Sequence, residues 1–421
     1  MSTVTPAPTP AQLTAARKAV VSSSIGNALE WFDIIVYASF AVIIQKNFFP
    51  SDDPTVGLII TFAGFAVSYL IRPLGALVLG SYADRNGRKK GLTLTIFLML
   101  VGTTLMAIAP TTAVIGIAAT FIILLSRLIQ GFSAGGEFGT ATTFLVETAP
   151  HRKAFYASWQ VTSQGISMFL ASVFGFVLFT YLTEDQLDSW GWRIPFFFGM
   201  LIGPVGWYIR SKLEETSEFT QMKREGSPLK AAFTTHLGRI LAATACVGVG
   251  TISVYLILYM PTFAVQTLHI PATAGYLGGI VAGVVTMVGV PFIGMLADRI
   301  GPARIMTYGA IAALVLAWPL FALIIAVPTV PVFAFVVAVL GVIMAIYFGP
   351  LPALMTAIFP AEVRGSGLSI AYNAGVTLMG GFAPLVLTWI GTLYAPGIYY
   401  MVIAVISLVG LGFARRKYAM R

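Results

Sequence analysis

Charge is scarce in this chain: 10% of its 421 residues are Asp, Glu, Lys or Arg, whereas 57% are hydrophobic. A soluble globular domain carries roughly 25% charged residues, so that class is excluded and a polytopic membrane protein remains. Cysteine is scarcer still. The single Cys246 lies within an apolar stretch and rules out an intrachain disulfide. The three histidines, His151, His236 and His269, are scattered without metal-ligand spacing, so no metal site is expected. No Gly-x-x-x-x-Gly-Lys-Ser/Thr loop is present, which argues against a nucleotide-driven pump. No catalytic cluster stands out, and an enzyme is not expected. The first 16 residues carry no charge and no short apolar core followed by a cleavage site, so they read as a tail and not as a removed leader.

What is abundant is apolar sequence in lengths of about 20 residues, the length that crosses ~30 Å of hydrocarbon. Twelve such stretches are expected, at 20–45, 54–82, 91–110, 113–148, 153–182, 191–210, 237–266, 271–297, 303–327, 330–358, 365–393 and 396–414. The fold class is therefore an all-α membrane protein of twelve transmembrane helices. The basic residues divide with these stretches. Twenty-one of the 25 fall on one face, including Arg17, Lys18, Arg152, Lys153, Arg239, Arg304, Arg364, Arg415, Arg416 and Lys417. Lys46 and Arg193 fall on the other. The positive-inside rule then puts both termini in the cytoplasm, and the net charge of +9 reads as topology and not as a nucleic-acid footprint.

The chain repeats itself. Gly80-Ser-Tyr-Ala-Asp84-Arg85-Asn-Gly87-Arg88 returns as Gly294-Met-Leu-Ala-Asp298-Arg299-Ile-Gly301, an offset of 298 − 84 = 214 residues. Ala149-Pro150-His151-Arg152 is echoed near Pro360 and Arg364. Two parallel six-helix bundles follow, with the site between them near the midplane. The expected organisation is a tail at 1–19, a bundle at 20–210, a polar linker at 211–235, a second bundle at 236–414 and a basic tail at 415–421.

The remaining two cations, Arg72 and Arg127, fall in the hydrocarbon region, where a guanidinium persists when it faces protein or a watery cavity. Glu30, Asp33 and Glu137 are the acids at similar depth. At about 100° per residue, Glu30, Asp33 and Tyr37 share one face of the first stretch, with Asn27 beside them. Arg127, Gln130, Ala134 and Glu137 share another. Tyr156, Gln160, Ser163, Gln164 and Ser167 line a third; Tyr255, Tyr259, Thr262 and Gln266 a fourth. These faces are expected to converge on one cavity. Every charge at that depth is N-terminal, leaving Tyr255, Tyr259, Tyr347, Tyr372 and Asn373 as the polar contribution of the C-terminal half. A guanidinium suits a carboxylate, so Arg72, Arg127, Asn27, Gln130, Tyr37, Gln160, Gln164, Tyr255, Tyr259, Tyr347 and Asn373 are the candidate substrate contacts. A carboxylate that exchanges an arginine for a substrate partner is a candidate proton carrier, which selects Glu30, Asp33 and Glu137.

The Gly80 to Arg88 loop resembles the signature loop of the major facilitator superfamily. More narrowly, three stretches resemble the metabolite:H+ symporter branch, which includes α-ketoglutarate, citrate, shikimate and proline/betaine transporters. They are Gly26-Asn27-Ala28-Leu29-Glu30-Trp31-Phe32-Asp33, Ile71-Arg72-Pro73-Leu74-Gly75 and Arg127-Leu-Ile-Gln130-Gly131-Phe132-Ser133-Ala134-Gly135-Gly136-Glu137. Trp190 to Phe196 and Leu213 to Thr216 add to them. The resemblance implies a monomeric carrier in the inner membrane that takes a small organic acid with protons and needs no cofactor. It also implies a latch at Gly80, Asp84, Arg85, Gly87 and Arg88, with Asp298 and Arg299 as the second copy. A di- or tricarboxylate such as citrate or α-ketoglutarate, a cyclic acid such as shikimate, and a zwitterion such as proline or betaine are all open as substrates. An arginine at position 127 is more like the carboxylate carriers of that branch.

Overall fold

A computed structural model describes residues 10–86, 88–135, 137–148, 152–211, 236–360 and 363–418, and the described chain is helical with no strand. The twelve spans appear in the expected order. Span 1 is Pro10–Ser39 and bends by 71° into Ala41–Phe48. Span 2 is Pro54–Leu70 and Arg72–Asn86, span 3 Arg88–Ile108, and span 4 Ala118–Ala134 and Glu137–Thr148. Spans 5 and 6 are Lys153–Tyr181 and Ile194–Ser211. Span 7 is Leu237–Gln266, span 8 Ala272–Ile300 and span 9 Pro302–Ala326. Span 10 is Val330–Phe348 and Leu351–Ile358. Span 11 is Arg364–Val376, a π-helical turn at Thr377–Gly381, and Ala383–Ile390; span 12 is Ala395–Tyr418.

The breaks within spans have local causes. Span 2 was expected to run unbroken, but it parts at Ile71, where Pro73 has no N–H to give the Tyr69 carbonyl. The Thr377 hydroxyl of span 11 donates to that freed carbonyl at 3.4 Å. At the ends, helix extends beyond the apolar limits. The segment expected as a tail at 1–19 is helical from Pro10, and Arg415, Arg416 and Lys417 form the last turn of span 12, where cations complement the helix dipole. Of the expected linker at 211–235, residues 212–235 lie outside the described residues.

Packing repeats with an offset of six. Span 1 packs on span 5, span 2 on span 4 and span 3 on span 6; in the second half, span 7 packs on span 11, span 8 on span 10 and span 9 on span 12. Between halves, span 5 lies along span 8 and span 2 along span 11. In lipid, close helix approach rests on small residues. A Cβ on Gly283 of span 8 would fall 2.6 Å from the Phe169 nitrogen of span 5, and one on Gly165 of span 5 would fall 2.7 Å from the Met287 nitrogen of span 8. Gly131 of span 4 likewise abuts the Ser68 carbonyl of span 2, with Ile71 Cγ2 2.8 Å from the place of its Cβ.

The outward surface is apolar, with Leu74, Val78, Phe121, Phe292, Trp389 and Val409 exposed, as a lipid-facing wall must be. The end that carries Arg152, Lys153, Arg239, Arg304 and Arg364 is here called the basic end. At the opposite end Lys46 pairs with Asp188 at 3.1 Å, and Arg193 Nη1 donates to the carbonyls of Ala107 and Ala109 at 3.0 and 2.7 Å. Those bonds fix the start of span 6 against the end of span 3.

Candidate functional site

Arg72 and Arg127 both lie in the protein interior, at 2% and 1% exposure. Arg72 is the first residue of the second segment of span 2, so the break at Ile71 sets its direction. Its Nη2 is 3.6 Å from Glu30 Oε1 and its guanidinium lies 4.2 Å over the Tyr69 ring. Arg127 lies 4.4 Å over the ring of Tyr37, whose hydroxyl donates to the Thr61 carbonyl at 3.1 Å. Arg72 Nε and Arg127 Nε and Nη2 have no hydrogen-bond partner. Buried donors are almost always matched, and an unmatched guanidinium N–H has the chemistry to bind an anion.

Asp33 is held by its neighbours on two other spans. Its Oδ2 accepts from the Thr103 hydroxyl of span 3, and from Gln130 Nε2 of span 4 at 3.3 Å. Gln130 Nε2 also donates to Thr103 Oγ1 at 3.2 Å. The other oxygen, Oδ1, has no partner. Glu137 opens the second segment of span 4 and is buried.

The polar stripes do not all face one space. Asn27 donates to the Gln160 carbonyl and to Ser163 Oγ, both at 2.8 Å, which ties span 1 to span 5. Gln160 is bonded to Thr142 and to the Phe138 carbonyl of span 4. Tyr347 donates to the Cys246 carbonyl at 2.8 Å, a bond inside the C-terminal half. Tyr259 lies 5.9 Å from the Phe62 ring and 3.5 Å from the Thr388 hydroxyl. Gln164 is buried in span 5 near Tyr372. Two residues of the stripes fall outside the centre: Tyr156 is partly exposed and Gln266 exposed, because both sit at span ends.

The halves touch at four levels. At the basic end Asp298 accepts from the Ala154 and Phe155 N–H groups at 2.8 and 3.0 Å, capping the first turn of span 5. Next, Asn373 donates to the Gly135 carbonyl at 2.9 Å, and Tyr372 stacks on Phe138 with centroids 3.4 Å apart. In the middle the Tyr255 hydroxyl donates to that of Tyr69 at 2.5 Å. At the opposite end the Tyr276 hydroxyl donates to the Ser39 carbonyl at 2.8 Å. The first copy of the latch is another matter: Gly87 and the side chains of Asp84, Arg85 and Arg88 lie outside the described residues, as does any side-chain contact at Gly80. Arg299 is exposed.

Sequence reasoning missed Tyr69, Thr103 and an aromatic group around Tyr255. Trp31, Phe65 and Tyr69 have ring centroids 6.3, 6.0 and 5.6 Å from Tyr255. Tyr69 was within reach, since it lies three residues before Arg72 at helical spacing. Thr103 gave no signal: one hydroxyl in an apolar helix is commonplace.

A twelve-span bundle with a repeated packing scheme, buried arginines at its centre and contacts between halves at both ends defines a multi-pass membrane transporter fold. The chain belongs to the Major Facilitator Superfamily, whose model matches residues 23–384 and again 283–418. It is 36% identical over 410 residues to a citrate-proton symporter of Klebsiella pneumoniae, covering 95% of this chain and 92% of that one. It is 37% identical over 413 residues to a proline/betaine transporter of Salmonella typhimurium, covering 93% and 82%. Among solved structures, the xylose transporter XylE from E. coli in a partially occluded inward open conformation aligns with a TM-score of 0.78 at 15% identity, over 96% of this chain and 98% of that one. That likeness speaks for the fold alone.

Proposed function

We propose that this protein is a proton-coupled symporter that imports a small organic anion, a di- or tricarboxylate such as citrate or α-ketoglutarate, by alternating access between its two halves. The observation that carries the reading is the set of open donors on Arg72 and Arg127, two buried guanidiniums with the geometry to grip carboxylates. Likeness to a citrate-proton symporter supports it. A carboxylate arriving at Arg72 competes with Glu30, and one arriving at Arg127 competes for the cation that Asp33 feels. The displaced acid would stand buried without its counter-charge, and a proton neutralises it. Binding of the anion and uptake of the proton thereby become one event. Glu30 and Asp33 are the coupling acids, with Glu137 a third candidate.

Arg72, Arg127, Tyr37, Gln130, Gln164 and Tyr255 make the substrate site in this reading, with Tyr259 at its margin. Asn27, Gln160, Tyr347 and Asn373 support it through the helix contacts they make. The basic end is cytoplasmic by charge bias, so Asp298 on the first turn of span 5 closes the cytoplasmic side. The substrate and protons are the partners, and the carrier works as a monomer.

A second reading has its own observation. The rings of Trp31, Phe65 and Tyr69 pack against that of Tyr255 beside Arg72; aromatic faces attract a quaternary ammonium, and a betaine that parts these rings would put its carboxylate on an arginine and its cation among them. Uptake of labelled citrate, α-ketoglutarate, shikimate and betaine into proteoliposomes, with and without an inward proton gradient, decides between them. Gradient-dependent uptake of a carboxylate is the expected result. Uptake of betaine alone would refute the organic-acid reading.

A further inference from the structure

Three buried side chains where the halves meet carry hydrogen-bonding atoms that the protein itself does not use. Among the described residues, the Tyr372 hydroxyl, Arg72 Nε and both ends of the Gln164 amide have no partner, and the three residues are 2%, 2% and 0% exposed. Unmatched polar atoms are rare in a buried setting, and each is costly. A ligand that meets all four accounts for them together.

The helix contacts bring these groups to one place. Asn373 donates to the Gly135 carbonyl and Gly135 abuts the carbonyl of Arg72, so span 11 meets span 2 by way of span 4. Tyr372 stacks on Phe138, whose carbonyl accepts from Gln160 Nε2 at 3.4 Å. Gln164 follows Gln160 by one turn of span 5, about 6 Å toward the end opposite the basic one. Glu30 follows Asn27, which is tied to Gln160, by three residues in the same direction, and at that level it meets Arg72. The Tyr372 hydroxyl accordingly has Gln164, Arg72 and Glu30 as neighbours. Both ends of the interface are shut in this conformation, and a ligand reaches the cluster as one of them parts.

The chemistry of the open atoms selects the ligand. Arg72 and the Tyr372 hydroxyl are donors, which a carboxylate matches. Gln164 offers one donor and one acceptor side by side, whichever way its amide is turned. A hydroxyl satisfies both, because it accepts and donates through one oxygen. A ketone or a second carboxylate only accepts and would leave the amide oxygen buried and unmatched, and the quaternary ammonium of a betaine does neither. We infer that Arg72, Tyr372 and Gln164 form a subsite for an α-hydroxy carboxylate, with the carboxylate on Arg72 and Tyr372 and the adjacent hydroxyl on Gln164. This rests on the reading of the protein as a di- or tricarboxylate carrier and narrows it to hydroxy acids such as citrate or malate. Tyr372 brings the C-terminal half onto the same carboxylate that Arg72 holds, so the bound anion bridges the halves.

The test compares acids that differ by one hydroxyl. Binding of citrate and of tricarballylate, which is citrate without its hydroxyl, is measured by calorimetry on the purified protein at a pH where both are fully ionised, and malate is compared with succinate in the same way. The hydroxy acid of each pair should bind at least about tenfold more tightly, the loss expected when a buried amide is left unmatched. Gln164→Leu should weaken the hydroxy acids to the level of their partners and leave the partners unchanged, so that the ratio falls to about one. Tyr372→Phe keeps the stack on Phe138 and should weaken all four acids about tenfold with the ratio kept. Equal binding within both pairs by the wild-type protein, a comparison that needs no variant, would overturn the subsite while leaving a carboxylate carrier. An undiminished ratio in Gln164→Leu, or unchanged binding in Tyr372→Phe, would overturn it as well. If none of the four acids binds, the di- or tricarboxylate reading itself fails and the subsite with it.

Discussion

Replacing Arg72 with Met should leave Glu30, 3.6 Å from the lost guanidinium and 6% exposed, as a buried anion without its cation. At an effective dielectric of about 20, a 3.6 Å pair is worth about 5 kcal/mol, and breaking a buried pair by removing one partner costs about 3–5 kcal/mol. Arg72 also lies 4.2 Å over Tyr69, a contact worth up to about 2 kcal/mol when desolvated. Arg72→Met therefore loses both contacts, while Glu30→Gln loses the ion pair and keeps the ring. Glu30→Gln should be the milder change. The double variant removes both charges, so it should recover about 3 kcal/mol relative to the sum of the singles. Equilibrium unfolding in mixed micelles measures all three against the parent, and citrate binding by calorimetry is measured on the same samples. The double variant should be folded and unable to bind. Additivity within about 0.5 kcal/mol would show that the two residues act independently, and retained binding in the double variant would show that Arg72 holds helices and not substrate.

At the basic end, Asp298→Asn keeps one of the two acceptors that cap Ala154 and Phe155, turns the other into an NH2 group facing an N–H, and removes the charge from a helix N-terminus, a loss of about 1 kcal/mol. The open population at that end should rise about fivefold, which spin-label distances across spans 5 and 8 would report; an unchanged distribution would remove Asp298 from the latch. Where spans 2 and 4 cross, Gly131→Val would drive a branched side chain into the Ser68 carbonyl. Overpacking of this kind costs about 3 kcal/mol, so the folded yield on size-exclusion chromatography should drop sharply, and a normal yield would refute the close crossing.

The twelve spans were legible because the requirement that writes them, about 20 apolar residues per crossing, acts directly on the sequence. Arg72, Arg127, Glu30 and Asp33 were legible for the converse reason: a charge in an apolar run stands out. Helix periodicity then assigned faces, but a face does not name its neighbour. Asn27 and Glu30 share a stripe, yet Asn27 faces span 5 and Glu30 faces Arg72. The aromatic group around Tyr255 was hidden because tyrosine and phenylalanine are ordinary in a lipid-facing or core helix alike. The bend at Phe40 also left no mark, since neither proline nor glycine stands there. Span 2 was read as one stretch at 54–82 although Pro73 stands at its break, and that break is what aims Arg72.

The central claim is that anion and proton move together through acids of the N-terminal half, and substrate-driven proton flux tests it most directly. Proteoliposomes loaded with a pH-sensitive dye and given external citrate should acidify inside with the wild-type protein. Asp33→Asn should abolish the acidification while citrate counterflow continues, because the substrate contacts remain. Equal acidification in the two proteins would contradict the role given to Asp33, and citrate uptake without any proton movement would contradict the coupling itself.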